Sequence, residues 1–132
     1  MDRRQFLCLV GGGLCGCAAT AVYQGRLEQG RVLVNLDELP PEFSEKGYAL
    51  VRAPGFDEPI LIHRTAEGTF LALSVRCTHL GCQVRPARNG LICPCHGSSF
   101  SWDGEVLRGP AQKALPRYLV AQRERVLEIT VY

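Results

Sequence analysis

At 132 residues, 46% of them hydrophobic and 21% charged, the chain has room for one small domain and little more. A formal charge of +2 is too slight to argue for nucleic acid. Thirteen of the fifteen basic residues are arginines, scattered singly apart from Arg3-Arg4, which is the pattern of a solvated surface, and there are no repeats or low-complexity tracts.

In chain order, residues 1–22 read as a targeting segment. Asp2-Arg3-Arg4-Gln5-Phe6-Leu7 resembles the twin-arginine export signal, a route that carries folded proteins, and an uncharged apolar run follows over 6–22. Three fates compete for it. The run can stay as a membrane anchor, although four glycines and marginal length weaken it as a span. Leu14-Cys15-Gly16-Cys17 resembles a lipoprotein box with Cys17 as the lipidated residue, and Ala19-Thr20-Ala21 can serve as an ordinary cleavage site. All three put the domain on the extracytoplasmic side, and the first two keep it at the membrane. A buried N-terminal helix would leave the arginine pair unexplained. Residues 23–30 read as a short polar linker with Gly25 and Gly30 as its flexible points.

From residue 31 to 132 the pattern is one domain of short strands and turns. The stretches 31–36, 48–52, 60–64 and 69–75 are rich in Val, Leu, Ile and aromatics, and Pro40-Pro41, Pro54-Gly55 and Glu67-Gly68 punctuate them. Residues 36–44 have room for one helical turn. Asp103-Gly104 signals another turn, and 117–121 with 126–132 read as a closing hairpin in which Leu127, Ile129 and Val131 share a face. The expectation is an all-β domain of stacked small antiparallel sheets with a cofactor-binding lobe at one end, about 75–112.

The chemistry lies in 77–98. Cys77-Thr78-His79-Leu80-Gly81-Cys82 and Cys93-Pro94-Cys95-His96-Gly97-Ser98 each carry two cysteines and a histidine, and Asn89-Gly90 between them reads as a tight hairpin turn that brings both boxes to one end. A thiolate and an imidazole from each box suit zinc, or an iron-sulfur cluster with mixed ligation, so four ligands do not settle the metal. Cys82 and Cys95 would be left over at matching places in the two loops. They can instead bridge the loops by a disulfide, a bond favoured outside the reducing cytosol. Neighbours in an extended segment point opposite ways, so Cys95 can face away from a metal held by His96.

These twelve positions resemble, without substitution, the two boxes of Rieske iron-sulfur proteins, in particular the disulfide-containing branch found in cytochrome bc-type quinol-oxidising complexes. The resemblance implies one 2Fe-2S cluster per chain. Cys77 and Cys93 would bind one iron, His79 and His96 the other, and Cys82 would pair with Cys95. It also implies roles outside the boxes. Ser98 matches a position that gives a hydroxyl to the cluster. Gly109-Pro110-Ala111 matches a loop that shields the cluster from the far side, here followed by Gln112 where the family usually has a second proline. Leu80 matches an exposed tip residue that docks the partner. Phe100 departs from the family, which often has tyrosine there.

The charge balance follows directly. Two ferric ions, two sulfides, two thiolates and two neutral imidazoles sum to zero, so one electron makes the centre singly negative, against a change from two to three negatives with four thiolates. Such centres therefore lie at roughly −150 to +300 mV, against about −400 mV for plant-type ferredoxins. Donors aimed at sulfur stabilise the reduced state, so Phe100 implies a potential below the most oxidising members. Phe100→Tyr is expected to raise it; an unchanged or lower value in a redox titration refutes this. Reduction also favours the proton on each imidazole's free nitrogen, so electron and proton uptake should be coupled, which suits a quinol donor.

No catalytic acid, base or nucleophile stands apart from the boxes, and His63, Trp102 and Tyr118 read as a surface or contact histidine and two packing aromatics under the lobe. By itself the chain should carry electrons and turn nothing over. The first reading is the electron-transfer subunit of a cytochrome bc-type complex, with a cytochrome b-type quinol-oxidising subunit and a c-type cytochrome as partners. The alternative is an accessory or stand-alone exported carrier for another oxidoreductase, such as a molybdenum enzyme. A structural zinc module is the reading from another class.

Overall fold

The computed structural model describes residues 22–79 and 81–132. The targeting segment read over 1–22 therefore lies, apart from Val22, outside the described residues, as does Leu80.

Among the described residues, twelve strands form two sheets. The larger has eight strands in the order β1 (Val22–Gln24), β4 (Tyr48–Ala53), β5 (Phe56–Arg64), β6 (Phe70–Ser74), β11 (Arg117–Arg123), β12 (Val126–Thr130), β3 (Arg31–Asn35), β2 (Arg26–Glu28). Every pairing is antiparallel except β1 on β4. This sheet wraps on itself, because β11 changes partner part-way: Arg117 and Tyr118 pair with β6, and Leu119 onward pairs with β12. Val32, Val34, Leu127 and Ile129 from one half thus share a core with Ala49, Val51, Ile60, Ile62 and Ala72 from the other. A short helix, α1 (Pro41–Lys46), closes one opening with Phe43 stacked on Phe70.

The smaller sheet has four strands in the order β10 (Val106–Arg108), β9 (Ser99–Phe100), β8 (Gly90–Ile92), β7 (Arg85–Ala87). Beneath it lies a second core of Leu61, Leu73, Val75, Cys77, Val84, Leu91, Cys93, Phe100, Ala111 and Leu115. The middle of β5 and β6 is therefore covered on both faces: Ile60, Ile62 and Ala72 point to the first core, Leu61 and Leu73 to the second. That is why these strands read as continuous apolar runs.

One stretch differs from its sequence reading. Residues 23–30 hold β1, β2 and the two-residue Gln29-Gly30 turn. They look like a polar linker because both strands lie on sheet edges and alternate exposed with half-buried residues. Gly25 is buried where the chain crosses from β4 to β3, and a Cβ there would lie 2.9 Å from the Leu33 carbonyl and 3.2 Å from Val51. It permits a close approach of backbones.

Candidate metal centre

Each ligand box is the tip of a hairpin, and the two tips share one backbone design. In the first, the Cys77 N–H donates to the Cys82 carbonyl at 2.7 Å and the Gly81 N–H to the Cys77 carbonyl at 2.8 Å. In the second, the Cys93 N–H donates to Ser98 at 2.7 Å and the Gly97 N–H to Cys93 at 3.0 Å. The flanking pairs correspond too, Arg76 with Gln83 and Ile92 with Ser99. Gly81 and Gly97 hold φ of 81° and 82°, a left-handed conformation that costs an L-residue roughly 1–2 kcal/mol, which is why both boxes need glycine at the fifth position. The hairpin between them turns at Arg88-Asn89, and Gly90 is already the first residue of β8.

Superposing the tips by position corrects one inference. Cys82 and Cys95 are not at matching places: Cys82 corresponds to Ser98, and Cys95 to His79. Only Cys77 and Cys93 are equivalent, and both are 2% exposed and free. The histidines come from the third and fourth positions. Both are exposed, with ring centroids 5.1 Å apart and planes at 88°. Cys82 and Cys95 are joined in a disulfide across a Cα–Cα distance of 6.5 Å. All three sulfurs of Cys82, Cys93 and Cys95 lie within 4.8 Å of one another, but two are spent on that bond, so this trio is no metal site.

A third segment locks both tips. The Ala111 N–H donates to Ser98 Oγ at 2.9 Å, and Thr78 Oγ1 donates to the Lys113 carbonyl at 2.6 Å. Gly109 and Pro110 lie just before these ties and are exposed, while Ala111 is buried. The Thr78 contact was not visible in the sequence, where the residue reads as a spacer inside a box. Nor was the ion pair of Arg76, next to Cys77, with Glu58 at 3.0 Å. Ser98 is 0% exposed, and among the described residues no protein group accepts its own O–H, which leaves a buried donor for a group held in the site. Two buried thiols, two converging imidazoles and that spare donor fit a mixed-ligand iron-sulfur cluster.

Among the remaining residues, His63 and Tyr118 differ from expectation. Phe100 is 0% exposed inside the second core. Trp102 packs on the lobe as expected, stacked on Tyr48 at 4.8 Å and on His63 at 5.3 Å, both nearly parallel to it. His63 is thus a packing residue, with Nδ1 buried and unpartnered; burial pulls its pKa down, against the pull of Asp103 upward. Tyr118 packs against the first core and meets Phe56 edge-on at 6.1 Å.

The Rieske 2Fe-2S domain model matches residues 24–119, which include the whole of both tips. The chain belongs to the Rieske family. It accordingly carries one 2Fe-2S cluster and transfers electrons. The cytochrome b6-f complex iron-sulfur subunit of Chlorobaculum thiosulfatiphilum is 33% identical over 89% of this chain and 68% of its own length. That of Chlorobaculum tepidum is 35% identical over 48% of this chain and 36% of its length. Among solved structures, the plasma membrane Rieske protein of Synechocystis PCC 6803 superposes with a TM-score of 0.58 at 31% identity, over 67% of this Rieske chain and 90% of that one. A chain of the carbazole 1,9a-dioxygenase oxygenase–ferredoxin complex superposes with a TM-score of 0.57 at 20% identity, over 78% of this chain and 94% of that one, which is a likeness of fold. No helix among the described residues is long and apolar enough to cross a membrane.

Proposed function

We propose that Cys77 and Cys93 bind one iron of the cluster and His79 and His96 the other, and that the chain takes single electrons from quinol at a cytochrome b-type subunit and passes them to a c-type cytochrome. The observation that carries this reading is the division of the site into a buried and an open half: thiols 2% exposed, imidazoles exposed and at right angles. When bound, the cluster supplies a one-electron centre of intermediate potential. The protein's part is to admit a donor from one side. The imidazole edges at the open end offer a quinol hydroxyl a hydrogen-bond partner, while Ala111, Phe100 and Leu91 exclude water around the thiols. The Cys82–Cys95 bond holds the two imidazole-bearing tips at a fixed spacing, so little rearrangement accompanies a change of charge. Leu80, beside His79, docks the partner in this reading, and Gly109-Pro110 shield the far side.

The same reading keeps the domain at the extracytoplasmic face of a membrane, with 1–22 as a twin-arginine signal or anchor. It is supported by relatives that are subunits of cytochrome b6-f complexes. These relatives do not favour the accessory-carrier alternative.

The test is an electron paramagnetic resonance spectrum of the dithionite-reduced full chain, followed by titration of its potential against pH. A Rieske-type signal with a potential that falls as pH rises supports cluster, ligands and quinol donor together. A low potential that does not move with pH overturns the quinol donor. Bound zinc with no signal overturns the electron carrier.

A further inference from the structure

The outer face of the four-stranded sheet takes no part in the metal centre. Its composition follows from register: Arg85, Ile92, Ser99 and Arg108 are cross-strand neighbours in one row. The next row, Pro86, Leu91, Phe100 and Val106, faces inward, with Leu91 2% and Phe100 0% exposed. By alternation the first row stands outward. Ile92 there is 41% exposed, and Leu107, at the register shift of β10, is 62% exposed. Both border a groove of about 360 Å³ whose rim includes Arg88. Arg85, Arg88 and Arg108 are exposed, and among the described residues none of the three is in an ion pair. The acidic groups of the lobe, Asp103 and Glu105, sit at and just after the turn that precedes β10.

Single exposed leucines are ordinary, but two large apolar side chains bordering one groove, with an uncompensated Arg88 on its rim and Arg85 and Arg108 at the two ends of the adjoining row, make a recognition surface. We propose that this face docks a separate acidic protein, one apolar side chain of which fills the groove between Ile92 and Leu107 while flanking carboxylates meet Arg85, Arg88 and Arg108. A second copy of the chain is disfavoured, because a two-fold contact through this face sets the three arginines against themselves. The chain's own N-terminal stretch has the wrong sign, with Arg3 and Arg4 against one acidic residue, Asp2. A bilayer surface is flat and does not fill a concave groove. The site also has a route to the metal centre: Ile92 precedes Cys93 and Ser99 follows Ser98, so a partner seated here braces the second tip from behind. This proposal does not rest on the identity of the electron donor.

It is tested by placing the photo-crosslinker p-benzoylphenylalanine at Leu107 of the full chain in its own host, with Leu119, which is 77% exposed on β11 of the larger sheet, as the control position. The expected product joins Leu107 to one other protein through a peptide in which carboxylates flank an apolar residue. Its yield drops roughly tenfold with Arg85→Glu, Arg88→Glu and Arg108→Glu combined, or in about 0.5 M salt. If the triple variant does not fold, Arg88→Gln in the exposed turn replaces it and should give a partial drop. Crosslinks to lipid, to a second copy or to a basic or uncharged segment overturn the proposal. So do equal yields at Leu119, yields indifferent to charge and salt, or no crosslink at all.

Discussion

The two ligand tips have the same turn and different mountings. The first grows directly out of the large sheet, since Cys77 follows β6 by a few residues and the Val84 N–H returns to the Val75 carbonyl at 2.7 Å. The second sits on the small sheet, between β8 and β9, and reaches the large sheet through side chains: Leu91, Cys93 and Phe100 pack with Leu61 and Leu73, and Trp102 stacks on Tyr48 and His63. A shared backbone design therefore places the two thiols alike, while the spacing of the imidazoles depends on holding two differently supported tips in register. The disulfide and the Ala111–Lys113 segment are the ties that span both.

The strongest way to break this arrangement is to remove the bridge. Cys82→Ser with Cys95→Ser should cost about 3 kcal/mol of stability, as for a loop of this order, and should strip most of the cluster; thermal unfolding and iron content check both. Full iron content in the double variant would mean that the third segment suffices alone. Ser98→Ala comes next. It leaves the buried Ala111 N–H without its acceptor, at about 1–3 kcal/mol, and should also lower the potential, whereas the matching place in the first tip, Cys82, has no such role. Gly81→Ala and Gly97→Ala sharpen the likeness: each should cost roughly 1–2 kcal/mol, and equally, since both need the same φ and neither Cβ meets anything closer than Arg76 at 3.7 Å. Unequal losses would show that mounting outweighs turn design.

The smallest effect concerns the second tip's mounting. Burial depresses the His63 pKa below its usual value, so as pH falls below about 6.5 the unfolded chain takes up a proton that the folded chain resists. Stability is thus lost on acidification and unaffected above that range. His63→Phe, which keeps a ring against Trp102, should remove that part of the slope between pH 7.5 and 5 in thermal melts, and an unchanged slope would assign it to other groups.

Both boxes were legible because their cysteines, histidines and glycines are chemically specific, and the strands β3 to β6 and the closing hairpin because their apolar runs end at turn residues. The shared tip design was not, since the boxes align only through their first cysteine and fifth-position glycine, and their histidines are offset by one place. Edge strands β1 and β2 escaped notice because two of the three residues in each are exposed. The stack of Tyr48, Trp102 and His63, and the Thr78 tie to Lys113, join residues far apart in the chain, and no local pattern announces them.

The seam between β1 and β4 gives the domain a mechanical property. Val22, Tyr23 and Gln24 run parallel to Leu50, Val51 and Arg52, and the Gly25 N–H adds a bond to the Arg52 carbonyl at 2.7 Å. A pull on the chain ahead of Val22, directed along the strand, loads these bonds together in shear instead of peeling them one at a time. Force arriving from the chain ahead of Val22 is therefore met by a seam of backbone bonds that must fail together.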